Sequence, residues 1–364
     1  MIVLNDAWVE QACFGGGILG GGGGGSVEEG IQLGQLALKL GYPTMLDSAE
    51  VPEDSLIATV SAVGAPSRKQ RPIPSHYVRA VKLLMDHTGK EIAGLMTNEM
   101  GGSASINGLV QSAILQIPLI DAACNGRAYP IGTMGAMGLS VNSDFVSEQA
   151  AAGGSKKKGT YVEIYGKGSL PILTELVIKA SYEAGGLIAV ARHPLPASYI
   201  KANAAVGALT QAVRLGKAYL SGQTGEEKIQ KVVEVLGGKV VACANVDSVE
   251  LIVQQGLDVG KVVIGDLEIT FWNEYMTLEQ QGERLATFPD LIMTMDAETG
   301  SPISSADLNK DQRISVIVAP KENLILGASM QDRQVFRDVE RAIGKEIVQY
   351  VFPKEDSQVC SSSR

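Results

Sequence analysis

The chain is short of most groups that build conspicuous chemistry. It has three histidines, His76, His87 and His193, too few for a histidine-rich metal site. Its four cysteines, Cys13, Cys124, Cys243 and Cys360, form no CxxC pair. That excludes a zinc knuckle and a disulfide framework and fits a reducing compartment. Aromatic residues make up only 5% of the chain, which favours close-packed α/β layers over an aromatic-rich β-architecture. Basic charge is also scarce: a net charge of -9 argues against a nucleic-acid partner. The one dense basic run, "SKKKG" at 155–159, reads as a solvated loop. The longest apolar stretch, "GLVQSAILQIPLIDAAC", is too short and interrupted to span a bilayer, and no basic–apolar leader opens the chain. A cytoplasmic protein is the expectation.

What the chain has in excess is glycine. Nine of the eleven residues from Gly15 to Gly25 are glycine, in "FGGGILGGGGGGSVEEG". Glycine loses the most backbone freedom on folding, so such a run implies positive φ angles, close backbone approach or a hinge. Ser26 followed by Glu29 reads as a capping box, and Val27, Ile31, Gly34 and Leu38 recur at helical spacing towards a stop at Gly41. The run also holds Gly15-x-Gly17-x-x-Gly20, the dinucleotide fingerprint. A dinucleotide site needs an apolar strand before the glycines, and "NDAWVEQACF" reads as a short helix instead. A glycine loop entering a helix can offer unpaired N–H groups to an anion or a polarised carbonyl, although Glu28 and Glu29 oppose an anion there. Tight packing or a hinge is the competing reading.

A chain of 364 residues suggests two domains or one large intertwined unit. Strand patterns at "PTMLD", "SLIATVSAVGAP", "EIAGLM" and "IPLIDA" alternate with helical ones, including a helix capped by Ser75. This is the signature of βαβ units and a mainly parallel sheet. Residues 160–196 add strand, helix and strand, and residues 197–220 read as one long helix. From Lys239 the runs alternate with a period of two, indicating a β-rich barrel or sandwich. The expected organisation is an α/β domain at 1–238, a β-rich domain at 239–326, a segment at 327–352 packing back on the first domain, and a disordered tail at 353–364.

Ligands in α/β sheets bind beyond the carboxyl ends of the strands, where Asp47, "VGAP" (63–66), "NEMGG" (98–102) and "DAACNGR" (121–127) fall. Glu99 can serve as a base, a metal ligand or an amide binder, or simply cap the next helix. Arg127 can grip a carboxylate or urea-like group with two prongs. Cys124 is either a nucleophile of lowered pKa or an inert buried thiol. His193 reads as structural. Asn273, Glu274 and Asp290 stand near turns of the β-rich part.

Taken in order, "ILGGGGGGS", "VGAPS", "NEMGG", "IPLIDAACNGRAYP", "AAVGALTQAVRLGKA", "WNEYM" and "FPDLIMTMDAETGSPIS" make the chain resemble the S-methyl-thiohydantoin desulfurase-like family from about Leu4 to Pro320. The resemblance implies two intertwined domains, α/β and β-rich. It points to a site of Gly20, Gly21, Gly22, Gly23, Ser26, Glu99, Gly101, Gly102, Asp121, Asn125, Gly126, Arg127, Asn273, Glu274 and Asp290. The chain departs from the family pattern at Ser26 and Ala123, where an acid is usual, and around Gly132, where a glutamate is. Those acids could have held a metal or moved protons.

The activity implied is on a small cyclic amide, hydantoin- or thiohydantoin-like, of hydrolase or desulfurase type. The glycine loop would polarise a carbonyl or thiocarbonyl, Arg127 and Asn125 orient the ring, and Glu99 or Asp121 activate water. The alternatives are a non-catalytic ligand-binding or partner subunit of a hydantoinase-type assembly, and nucleotide binding through the glycine loop. A small-molecule ligand and a homo-oligomer are expected, and metal and cofactor are left open.

Overall fold

The computed structural model describes residues 1–64, 70–254 and 257–353. The end of "VGAP" and nearly all of the expected tail lie outside the described residues.

The chain opens with β1 (Ile2–Val3) and helix α1 (Asp6–Leu19), capped by Asn5, whose side chain accepts from Trp8 N. Helix α1 is longer than expected because it runs through Gly15, Gly16 and Gly17. Helix α2 (Val27–Leu40) follows, and the Ser26 hydroxyl accepts from Glu29 N at 3.3 Å. Only half of the capping box is made: the Glu29 carboxylate pairs with Arg71 at 3.0 Å.

Next come β2 (Thr44–Leu46), β3 (Leu56–Val63), α3 (Pro74–Thr88) and β4 (Gly94–Glu99). Ile73 rather than Ser75 occupies the α3 cap, with Pro74 at the first helical position, where its missing N–H costs nothing. Then follow α4 (Leu109–Leu115), β5 (Leu119–Asn125), β6 (Ser147–Gly153), β7 (Val162–Gly168), α5 (Leu170–Ala184) and β8 (Ile188–Pro196).

The expected helix over 197–220 is broken. It is α6 (Ala197–Asn203), the short strand β9 (Ala205–Val206) and α7 (Ala208–Leu220). Pairing of β9 with Ala122 and Ala123 of β5 overrides the helical pattern. Helix α8 (Gly225–Leu236) closes this half, capped by Thr224.

Nine described strands form the first sheet, in the order β1-β2-β5-β4-β3-β8-β6-β7 with β9 on β5. The parallel pairing expected of the βαβ units is present in β2-β5-β4-β3, and antiparallel strands extend it on both sides.

The β-rich part holds β10 (Lys239–Asn245), β11 (Ser248–Gln254), β12 (Leu257–Ile264), β13 (Leu267–Trp272), β14 (Glu274–Gln280), β15 (Glu283–Thr287), β16 (Leu291–Asp296), β17 (Pro302–Ile303) and β18 (Arg313–Ala319). They form two antiparallel sheets, β10-β18-β16-β17 and the meander β11-β12-β13-β14-β15. Helices α9 (Arg333–Ile343) and α10 (Val348–Val351) end the described chain. Phe336 and Val339 of α9 share one apolar cluster with Met276 and Phe288 of the β-rich part and with Tyr129 and Met134 of the first part. The chain is therefore a mixed α/β protein whose first sheet is joined to two antiparallel sheets.

Two glycines explain how α1 and α7 can cross so closely. A Cβ on Gly15 would lie 1.8 Å from Ala212 O, and one on Gly216 would lie 1.8 Å from Gln11 O. The two helices meet backbone to backbone, a crossing that side chains would forbid.

Candidate functional site

The fingerprint glycines Gly15, Gly17 and Gly20 belong to α1 and its C-terminal cap, and a helix rather than a strand leads directly into them. The turn that grips a pyrophosphate is not built there. The true loop is the second half of the run. Gly21, Gly22, Gly24 and Gly25 have φ of 59°, 98°, 79° and 81°, a region that side chains disfavour.

Each of these residues is pressed against a different part of the molecule. An added Cβ would lie 2.2 Å from Arg127 Nη2 at Gly21, 2.9 Å from the Tyr275 ring at Gly22 and 1.9 Å from Glu274 Oε1 at Gly23. At Gly24 it would lie 2.4 Å from the Gly101 Cα, and Gly102 is pressed in the same way against Gly25 and Val27. The loop carbonyls are taken: Gly21 O by Tyr275 N at 2.8 Å, Gly22 O by Ser305 N at 3.0 Å and Gly24 O by Ala104 N at 3.1 Å. The glycine loop is thus a rivet between the two halves of the chain. Its outer edge, with Ser26, Val27, Pro302 and Asp307, borders an open groove of ≈ 550 Å³ that Glu99, Asp121 and Arg127 do not line.

Beneath the loop lies a buried polar centre. Arg127, just past the end of β5, is fully buried, donates from Nη1 to Pro289 O at 3.1 Å and to Asp290 O, and lies 4.5 Å over the Phe288 ring. Its Nε and Nη2 have no partner. Burial pulls its pKa down to about 10, against the opposing charges of Glu274 and Asp290. Glu274, the first residue of β14, is 3% exposed, and its Oε2 is also unpartnered. Burial, reinforced by Glu99, raises its pKa well above the usual carboxylate range. Buried donors and a buried acceptor left unfilled are costly unless something meets them.

Glu99 ends β4 at the carboxyl edge of the parallel strands. Burial raises its pKa to about 7, only partly offset by the Arg192 charge and by donors from the Tyr129 backbone and the Asn98 side chain. A carboxyl group poised there can give or take a proton at neutral pH.

Other expected site residues serve the framework. The Asp121 carboxylate accepts from Thr210 N at 3.1 Å and Thr210 Oγ1 at 2.5 Å, holding the first turn of α7. Asn125 donates to Arg127 O at 3.0 Å and accepts from Gly327 N at 3.0 Å. A Cβ on Gly126 would lie 1.8 Å from Ile325 O. Asn273, with φ of 55°, turns the chain between β13 and β14 and accepts from Asp258 N. Asp290 accepts from Thr287 N and Lys321 N, and its carbonyl receives Arg127. Cys124 lies 3.4 Å from Thr59 Oγ1, and burial raises its pKa, so it is a thiol and not an activated nucleophile. His193, with φ of 52°, meets Ser147 Oγ at 2.8 Å, and burial then Arg192 lower its pKa to about 3. Among the described residues no group of three or more His, Cys, Asp or Glu side chains is placed to hold a metal ion. Nor is any helix among them long and apolar enough to cross a membrane.

Sequence reasoning missed Tyr129, Tyr275 and Arg192. Tyr129 donates to Asn98 O at 3.3 Å, and Tyr275 bonds Thr294 at 2.7 Å while its ring covers Gly22. Arg192 sits inside an apolar strand with no local motif to mark it.

Family comparison finds two domains along the chain. Residues 8–152 match the S-Me-THD-like N-terminal domain and residues 172–329 the S-Me-THD-like C-terminal domain. The chain belongs to the S-Me-THD-like family. A solved structure of a protein from Chromobacterium violaceum is similar over 95% of this chain and 98% of its own, with a TM-score of 0.71 and 19% identity. Likeness at that identity concerns the fold alone. No curated protein matches the chain.

Proposed function

We propose that this chain is an enzyme acting on a small cyclic amide, of hydantoin or thiohydantoin type, at the Glu99–Arg127–Glu274 centre. The observation carrying this reading is that Arg127 Nε and Nη2 and Glu274 Oε2 are all buried and unfilled, and that the Glu274 charge acts on Arg127. A ring amide supplies what both lack: a carbonyl or thiocarbonyl to accept from the guanidinium, and an N–H to donate to the carboxyl oxygen. In hydrolysis, Glu99 takes a proton from water as the oxygen attacks the ring carbonyl carbon. Arg127 holds the developing negative charge. The ring C–N bond breaks, and the departing nitrogen takes the proton back from Glu99.

The full enclosure of Arg127 and the contact of Glu274 with Gly23 favour a second reading, a ligand-binding or partner subunit of a hydantoinase-type assembly. Hydantoin and thiohydantoin panels assayed with the wild type, Glu99→Gln and Arg127→Met separate the two. The enzyme reading expects turnover that both variants lose. Turnover undiminished in both variants sinks the assignment of these residues, and its absence in the wild type favours the second reading.

A further inference from the structure

Arg192 is 8% exposed, yet its guanidinium makes no hydrogen bond or ion pair among the described residues. It lies mid-sheet on β8, in register with Thr59 of β3 on one side and Gln149 of β6 on the other. Directly opposed residues project from the same face, as do residues two apart, so Ser61 joins Thr59, Arg192 and Gln149 there. Two of these neighbours carry unfilled buried atoms of their own, Ser61 Oγ and Gln149 Oε1. Gln149 spends its Nε2 on Ser147 Oγ at 3.1 Å.

Glu99, with a pKa of about 7, is the carboxyl group on which the Arg192 charge acts, and no ion pair joins the two. The groups that feel the Arg192 charge are Glu99, Cys124, Tyr129 and His193. Burial drives Glu99, Cys124, Tyr129 and His193 alike towards their neutral forms. The Arg192 guanidinium therefore has no fixed partner, and its nitrogens, unlike Ser61 Oγ and Gln149 Oε1, are not sealed from solvent, so it stays open to an incoming anion.

We propose that Arg192, with Ser61 and Gln149, binds the carboxylate of a ligand that carries an amide N–H beside it. The planar guanidinium takes both carboxylate oxygens, the Ser61 hydroxyl offers a further donor, and Gln149 Oε1 receives the N–H. Resting on the function proposed above, this makes Arg192 a specificity-determining residue for an acid-bearing cyclic amide or for the ring-opened acid that its hydrolysis yields.

The test uses N-acetylglycine and its neutral analogue N-acetylglycinamide, neither of which contains a hydantoin ring. Calorimetric titration and thermal shift of the full chain are expected to show binding of N-acetylglycine and at least about tenfold weaker binding of the carboxamide. Arg192→Gln abolishes the preference, and Arg192→Lys keeps part of it. Equal binding of both probes by the wild type, binding of neither, or a preference surviving in Arg192→Gln overturns the proposal. Should Arg192→Gln fail to fold, the wild-type comparison of the two probes decides alone. Hydantoin turnover, measured separately, tests the function reading. Carboxylate preference without turnover leaves the Arg192 subsite standing and removes that reading. Turnover without the preference does the reverse.

Discussion

The Cβ that Gly23 lacks would lie 1.9 Å from Oε1 of Glu274. This contact brings the glycine loop of the first part onto the first residue of β14 in the second, so loop and acid must be treated as one unit. Gly23→Ala should destabilise the protein by about 1–3 kcal/mol, the usual cost of overpacking. Gly23→Ala/Glu274→Ala should lose clearly less than the sum of the single changes in denaturant unfolding. Strictly additive losses would mean that the two residues do not oppose each other.

Glu99 sets a pH dependence of definite sign. Its pKa is about 7 in the folded chain, raised by burial from 4.5. The folded state therefore binds the proton more tightly than the unfolded chain. The stability from that proton is complete below pH 4.5 and lost as pH rises through 7, by about 3 kcal/mol at most. Glu99→Gln should become more stable relative to the wild type as pH is raised from 5 to 8. A constant difference between the two melting curves across that window would contradict the shift.

Arg127 should show stability and function moving apart. It is a fully buried charge with two unfilled N–H groups, and an apolar side chain of similar length avoids their desolvation. Arg127→Met should change unfolding free energy by no more than about 2 kcal/mol, because the lost bonds to Pro289 and Asp290 offset part of the gain. Ligand binding should nevertheless disappear. Retained binding of a cyclic amide in a folded Arg127→Met protein would remove Arg127 from the site.

Asp121 should behave as a framework residue. With both its oxygens on Thr210, Asp121→Ala should cost about 1–2 kcal/mol, as loss of a helix cap does. Turnover per folded molecule should stay near wild type. A loss as deep as that of Glu99→Gln would return Asp121 to the catalytic set.

The alternation of strands and helices was legible because apolar periodicity is local. Glu99, Arg127 and Glu274, the residues of the proposed site, were singled out through family motifs. The helical half of the glycine run was not legible: Gly15 and Gly17 have poor helix propensity, and only the crossing with α7 makes glycine necessary at Gly15. The break at Ala205–Val206 was hidden for the same reason, since β5 imposes it from far away in sequence. Strand β6, "SEQAAAG", carries alanines of weak strand preference and is buried throughout. Arg192, Ser61 and Gln149 share one face of the sheet only through strand register. The roles of Asp121 and Asn125 depended on which distant backbone groups reach them, which no spacing along the chain reveals.

The measurement closest to the central claim is a crystal structure of the protein soaked with hydantoin. The account predicts ring density within hydrogen-bonding distance of Arg127 Nε or Nη2 and of Glu274 Oε2, with Glu99 beside the ring carbonyl. Hydantoin bound elsewhere, with those three atoms met only by ordered water, would contradict it.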